Sequence, residues 1–208
     1  MSLHIIGRST SHFTRVTTMF AIELDAPFEF TPIYDLTQLA PEVYAGNPAL
    51  KLPILRVGDD VVFGTLNICR FIAESTTPRR IIWPETLNDA QSRNAHELLD
   101  HCMRAQVQLI MGHMVSKLPT DSVYFAKARA GYEGALRWLD THLERVIDSF
   151  PARDLSYFEV SLFCLIEHMR FRTTVDPAQF KSLSRFAEVF GGRPSASRTP
   201  YRLDKPNA

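Results

Sequence analysis

Arg8-Ser9-Thr10-Ser11-His12-Phe13-Thr14-Arg15 brings four hydroxyls and two guanidinium groups into eight residues, between a short apolar run and the first helically spaced apolar residues. The plainest reading of such a cluster is a helix N-cap, in which a hydroxyl oxygen accepts a free backbone N–H. A hydroxyl donor at a helix N-terminus also favours an anion beside it. Thr65 stands in a similar place, ahead of Ile68, Phe71 and Ile72, and is expected to be the N-cap of its helix. Lys51, taken alone, reads as a surface lysine before a strand. Metal chemistry has poor material: His96 and His101 are five apart, so one helix would turn them to different faces, and no third ligand accompanies them. Cys69, Cys102 and Cys164 form no C-x-x-C pair, and Cys69 and Cys164 sit in apolar helical stretches as core thiols do. Arg79-Arg80 is too short for a nucleic-acid patch.

The chain that must position these groups has 208 residues, 45% apolar and 22% charged, which fits one large or two small globular domains. Lys plus Arg and Asp plus Glu are equal at 23 each, so no global field recruits nucleic acid or an anionic membrane. The first seven residues lack the basic start and long apolar core of a secretory signal. No run approaches the roughly 20 apolar residues that cross a bilayer. A cytoplasmic protein with reduced cysteines is expected.

Up to residue 79 strands and helices alternate. Leu3 to Ile6, closed by Gly7, predicts a buried strand, and Phe13 to Leu24 a helix. Phe28 and Phe30 alternate with Glu29 in a second strand, which Pro32 marks as an edge or a strand end. After a less regular stretch to Asn47, Leu52 to Val57 and Val61 to Phe63 flank Gly58-Asp59-Asp60 and predict an antiparallel hairpin. The order amounts to a split βαβ unit and a terminal hairpin, a small mixed sheet covered by helices. From about Leu87 the pattern is helical: a long helix to the Pro119 break, another from Asp121 to about Ile147, and a third behind the capping box Ser156-x-x-Glu159. A last helix near Phe180 to Phe190 ends at Gly191-Gly192, with a proline-bearing tail over the surface.

Asn47-Pro48-Ala49-Leu50-Lys51-Leu52-Pro53-Ile54-Leu55 resembles the NP-x-x-K-V-P-x-L segment of the cytosolic glutathione transferases. Gly64-Thr65-Leu66-Asn67-Ile68 is similar to their [EQ]-S-x-A-I helix start, Ser156-x-x-Glu159 to their S-x-x-D capping box, and Arg193-Pro194-Ser195 to their R-P-S tail. The resemblance covers nearly the whole chain. It implies an α/β thioredoxin-like N-terminal domain over residues 1–79, a linker over 80–86 and an all-α helical domain over 87–208. A cytoplasmic homodimer with glutathione as co-substrate, no metal and a small electrophile as second substrate is what such a protein would be.

Counting back from Leu24-Asp25, Ser11 falls where the serine of theta-, zeta- and delta-like classes sits, in the manner of a bacterial serine-type member; Ser9 and Thr10 are the alternatives one or two residues away. The family role would make the hydroxyl a donor to the glutathione thiolate, not the nucleophile. By the same resemblance Pro53 is cis, the Leu52 backbone meets the cysteinyl part of glutathione, Thr65 holds the γ-glutamyl carboxylate, and Lys51 meets a backbone or carboxylate group. Gly64 departs from the family, which has an acidic or amide side chain there for the γ-glutamyl amino group; Asn67 is a substitute for it. His12 and Arg8 could line the substrate site. His101, Arg104, Gln108 and Met111 share one face of the long helix, which either borders the electrophile or packs the domains together. The alternative to an enzyme is a non-catalytic binding or assembly module on the same fold. Thiol–disulfide exchange is the weakest reading, because no cysteine lies at the first strand-to-helix turn.

Overall fold

The computed structural model describes residues 2–119 and 121–205; residue 1 and residues 206–208, at the outer bounds of the two expected domains, lie outside them. The chain divides into two compact units, Met1–Arg80 with Gly191–Ala208, and Ile81–Phe190. The final segment therefore belongs with the first unit and not with the helical domain expected over residues 87–208.

In the first unit β1 (Leu3–Gly7), β2 (Phe28–Pro32), β3 (Ile54–Val57) and β4 (Asp60–Phe63) form one sheet in the order β2-β1-β3-β4. β1 runs parallel to β2 and antiparallel to β3, which is antiparallel to β4. β2 is an edge, the position its proline predicts. Gly58 has φ 59° at the first central position of the two-residue loop between β3 and β4, where a type II′ turn takes glycine. Side-chain alternation splits the sheet into two faces. Ile6 pairs with Ile54 and packs against Ile33, Tyr44 and Ala45, so the irregular segment after β2 covers one face. Ile5 and Leu55 pair on the other. There α1 (His12–Glu23) and α2 (Thr65–Glu74) pack side by side on the strands and bury Val16, Phe20, Ile68 and Ile72.

The second unit is built around α5 (Tyr157–Arg172), an apolar helix buried almost all round. Against it or one another pack α3 (Ala90–Leu109), α4 (Val123–Asp148) and α6 (Lys181–Phe190). A parallel two-residue ribbon joins β5 (Ile81–Ile82) to β6 (Leu155–Ser156); pieces so short leave no period in a sequence. Ser156 caps α5 by accepting from the Glu159 N–H at 3.4 Å, while the Glu159 carboxylate takes both forks of Arg153 at 2.5 and 2.8 Å. α3 runs into a π-helical stretch, Ile110–Val115. No helix among the described residues is long and apolar enough to cross a membrane. Beyond Gly191-Gly192, the short α7 (Pro194–Arg198) returns to α1.

Candidate functional site

Strand direction decides what meets at each end of the sheet. β1 leaves the sheet at Gly7, β3 enters it at Ile54 and β4 leaves at Phe63, and the register sets Ile6 beside Ile54 and Ile54 beside Phe63. The turn at residues 8–11, the Leu52-Pro53 step and Gly64-Thr65 therefore emerge at one end, on neighbouring strands about 4.8 Å apart. Sequence-predicted Ser11, Leu52, Pro53, Gly64 and Thr65 are gathered there from three segments, the first more than forty residues before the other two. Lys51, exposed, stands beside Leu52. The Leu52–Pro53 peptide is cis. Buried Asn47 fixes the approach to it: its amide donates to the Lys51 carbonyl at 2.8 Å and its oxygen accepts from the Ala49 N–H at 3.0 Å.

α1 and α2 both begin at this end, α1 after the turn at residues 8–11 and α2 directly after Gly64. A helix N-terminus presents free N–H groups and about half a positive charge. Neither helix has an acidic residue in its first turn to neutralise that charge. Two positive helix ends converging on one edge make it suited to carboxylates and thiolates.

Ser11 is the N-cap of α1, with φ −93° and ψ 123°, and its Oγ accepts from the Thr14 N–H at 3.2 Å. The capping reading of the hydroxyl cluster thus falls on the residue to which the family resemblance points. The two roles are compatible, because capping uses a lone pair and leaves the hydroxyl proton to donate. Of the alternatives, Thr10 is buried, and Ser9 donates its backbone N–H to the Asp204 carboxylate at 2.8 Å. His12 is fully buried beside the Phe13 ring, which places it in packing and not on an open surface. Arg8 donates its backbone N–H to Thr14 Oγ1 at 3.3 Å.

At α2 the structure corrects the expected cap. Gly64 is the N-cap and has no side chain to offer, and Thr65 is the first helical residue, almost fully buried. Gly64 has φ 87° and nothing within 4 Å of where a Cβ would stand. Its backbone angle, not crowding, is what suits glycine to the step from β4 into α2.

In the second unit Arg104 is exposed and paired with Asp100 at 2.6 Å, Gln108 donates to the Tyr124 hydroxyl, and His101 pairs with Glu97 at 3.5 Å. His96 is half-buried against Tyr157; burial pushes its pKa down, against the pull of Asp100, Glu97 and Glu85. Among the described residues no group of three or more His, Cys, Asp or Glu is placed to hold a metal ion. What the sequence did not reveal is the reach of the tail to the Ser9 turn through Asp204. An acid four residues from the end of the chain carries no local signal of a partner 195 positions away.

Residues 10–75 match the family model of the glutathione S-transferase N-terminal domain. No curated protein sequence matches the chain. Among solved structures, a glutathione S-transferase from Methylobacterium radiotolerans in complex with glutathione sulfonate is 19% identical, with a TM-score of 0.76 over 100% of this chain and 99% of that one. One from Methylobacillus flagellatus with glutathione bound is 22% identical, with a TM-score of 0.78 over 95% and 98% of the two chains. A glutathione transferase family member from Pseudomonas fluorescens with bound glutathione is 18% identical, with a TM-score of 0.76 over 96% and 99%. Likeness at this identity establishes the fold along the whole chain, and the match over residues 10–75 adds the sequence signature of a glutathione S-transferase N-terminal domain within the first unit.

Proposed function

We propose that the end of the sheet where β1, β3 and β4 meet binds glutathione, and that the chain is a glutathione transferase-like enzyme in which the Ser11 hydroxyl donates to the bound thiolate. The observation that carries the reading is the convergence of the Ser11 turn, Leu52-Pro53 and Thr65 on an edge faced by two helix N-termini with no acidic residue in their own first turns. The backbone of Leu52 meets the cysteinyl part, the start of α2 at Thr65 takes the γ-glutamyl carboxylate, and Lys51 supplies a point charge. A free thiol has a pKa near 8.5 and is only a few per cent ionised at neutral pH. Lowering it by about two units corresponds to roughly 2.7 kcal/mol in favour of the thiolate. The sulfur lone pair then forms the S–C bond to a small hydrophobic electrophile, whose leaving group departs with the bonding pair. The likeness of the bound neighbours supports glutathione as co-substrate, in a cytoplasmic homodimer whose assembly sedimentation velocity would test. Titration calorimetry with glutathione, paired with a thiol-conjugation assay on the wild type and Ser11→Ala, tests the reading. Absence of binding at millimolar glutathione would reject it.

Gly64 favours a second reading, a non-catalytic binding or assembly module. It places no carboxylate or amide side chain where the family meets the γ-glutamyl amino group, and its backbone angle disfavours any other residue. Saturable glutathione binding with no conjugation of any electrophile tried would select this reading.

A further inference from the structure

Within the first unit, a cavity of about 160 Å³ is lined by the turn after β1, α1, β2 and the tail behind α7. It is far larger than the roughly 10–15 Å³ that one water needs. Four arginines line it, Arg8, Arg15, Arg198 and Arg202, together with Phe28 and Phe30. Arg15 is only 6% exposed; it donates to Thr199 Oγ1 at 3.3 Å and to the Ala196 carbonyl at 3.2 Å, and lies 4.5 Å from the centre of the Tyr201 ring. The Arg8 Nε is buried and makes no hydrogen bond among the described residues. A buried guanidinium donor without an acceptor is costly, and an anion in the cavity would supply one.

The nearby carboxylates are engaged elsewhere. Asp204 accepts the Ser9 N–H. Asp35, which attracts Arg8 electrostatically, is held by Thr37 and Gln38 and its pKa is lowered to about 2. Four cations against two occupied carboxylates leave an excess of about two charges, which a phosphate group, carrying roughly −1.5 to −2 at neutral pH, would balance. Guanidinium forks match phosphate oxygens in pairs.

We propose that this cavity is a second anion site, built for the phosphate group of a small phosphomonoester whose organic body lies on Phe28 and Phe30. It rests on the arginine cluster and the bare Arg8 donor, and stands whether or not the sheet end binds glutathione. Inorganic phosphate, phenyl phosphate and benzoate would be titrated into the full chain at fixed ionic strength, with amide NMR shifts as the readout. Phenyl phosphate is expected to saturate with shifts at Ser9, Arg15 and Thr199, binding several-fold tighter than inorganic phosphate and about tenfold tighter than the monoanionic benzoate. Arg198 and Arg202 are exposed, so the double substitution R198Q/R202Q should leave the thermal midpoint in place and weaken phenyl phosphate at least about tenfold. Arg8→Lys, which keeps the charge and removes the buried Nε, should weaken it several-fold. Saturable binding of inorganic phosphate alone would identify a free-phosphate site and overturn the monoester. Shifts that chloride reproduces, or binding untouched by R198Q/R202Q, would overturn the site itself.

Discussion

The Ser11 hydroxyl accepts the Thr14 N–H with one part of itself and has its proton left for another partner, so the two roles can be separated by substitution. Ser11→Ala removes both; it should cost about 1 kcal/mol of cap, a fall of about 2–4 °C in Tm for a chain of this length. Its turnover should drop at neutral pH and recover in part as pH rises, because glutathione ionises unaided near its ordinary thiol pKa. Ser11→Asp keeps a good cap but sets a carboxylate beside the thiolate, which raises the thiol pKa. It should therefore melt close to wild type and be inactive; an active Ser11→Asp would leave the serine a cap only. At Gly64 the backbone angle and the missing side chain pull in opposite directions. Gly64→Gln should lose about 1–3 kcal/mol of stability to the positive φ while gaining about tenfold in glutathione affinity if its amide reaches the γ-glutamyl amine. Gly64→Ala should lose a similar stability and gain nothing. Thermal melts and calorimetry on the pair separate the two effects.

Elements were legible where a local device specifies them. The Ser156 hydroxyl dictates the start of α5, the Gly58 turn dictates the hairpin and Pro32 confines β2 to an edge; the register of β1, β3 and β4 brings the Ser11, Leu52 and Thr65 segments to one end of the sheet. Thr65 resembles a cap in sequence because hydroxyl residues favour both the cap and the first turn, and only the φ of Gly64 shows where the helix begins. The β5–β6 ribbon and the tail on α1 are fixed by partners more than seventy residues distant, beyond the reach of periodicity. The π-helical end of α3 has no signature of its own, although Gly112 lies tight against Phe125 there. The contact between β1 and α1 is as close. A Cβ on Gly7 would stand 2.5 Å from Thr14 Cγ2 and 2.6 Å from Thr14 Oγ1, so α1 would have to move off the strand. Gly7→Ala should destabilise by about 1–3 kcal/mol, read from the urea midpoint. The loss should be smaller in a Thr14→Ala background, the non-additivity expected of neighbours; equal losses in both backgrounds would show that the helix does not rest on this contact.

For the molecule as a whole, neutrality concentrates electrostatics in local devices: helix ends at one edge of the first unit and guanidiniums in its side cavity. The interior is correspondingly silent. Cys69, Cys102 and Cys164 are all fully buried and unpaired with one another, and burial pushes the Cys102 thiol up to about 12. An aromatic disulfide reagent at neutral pH should label none of them until urea opens the chain, Cys69 reporting the first unit and the other two the second; rapid labelling of the native protein would contradict this core. Acid reaches the second unit through His96. Burial holds its folded pKa below the ordinary 6.5, so the unfolded chain takes up a proton at a pH where the folded chain does not. Its contribution is therefore complete above that value and declines as pH falls through it, levelling off once the folded ring is also charged. Urea midpoints of wild type and His96→Gln, measured from neutral to mildly acidic pH, should converge or cross as the wild type loses stability that the variant, with nothing to titrate there, keeps. Parallel curves would mean that the ring is as readily protonated in the folded unit as in the unfolded chain.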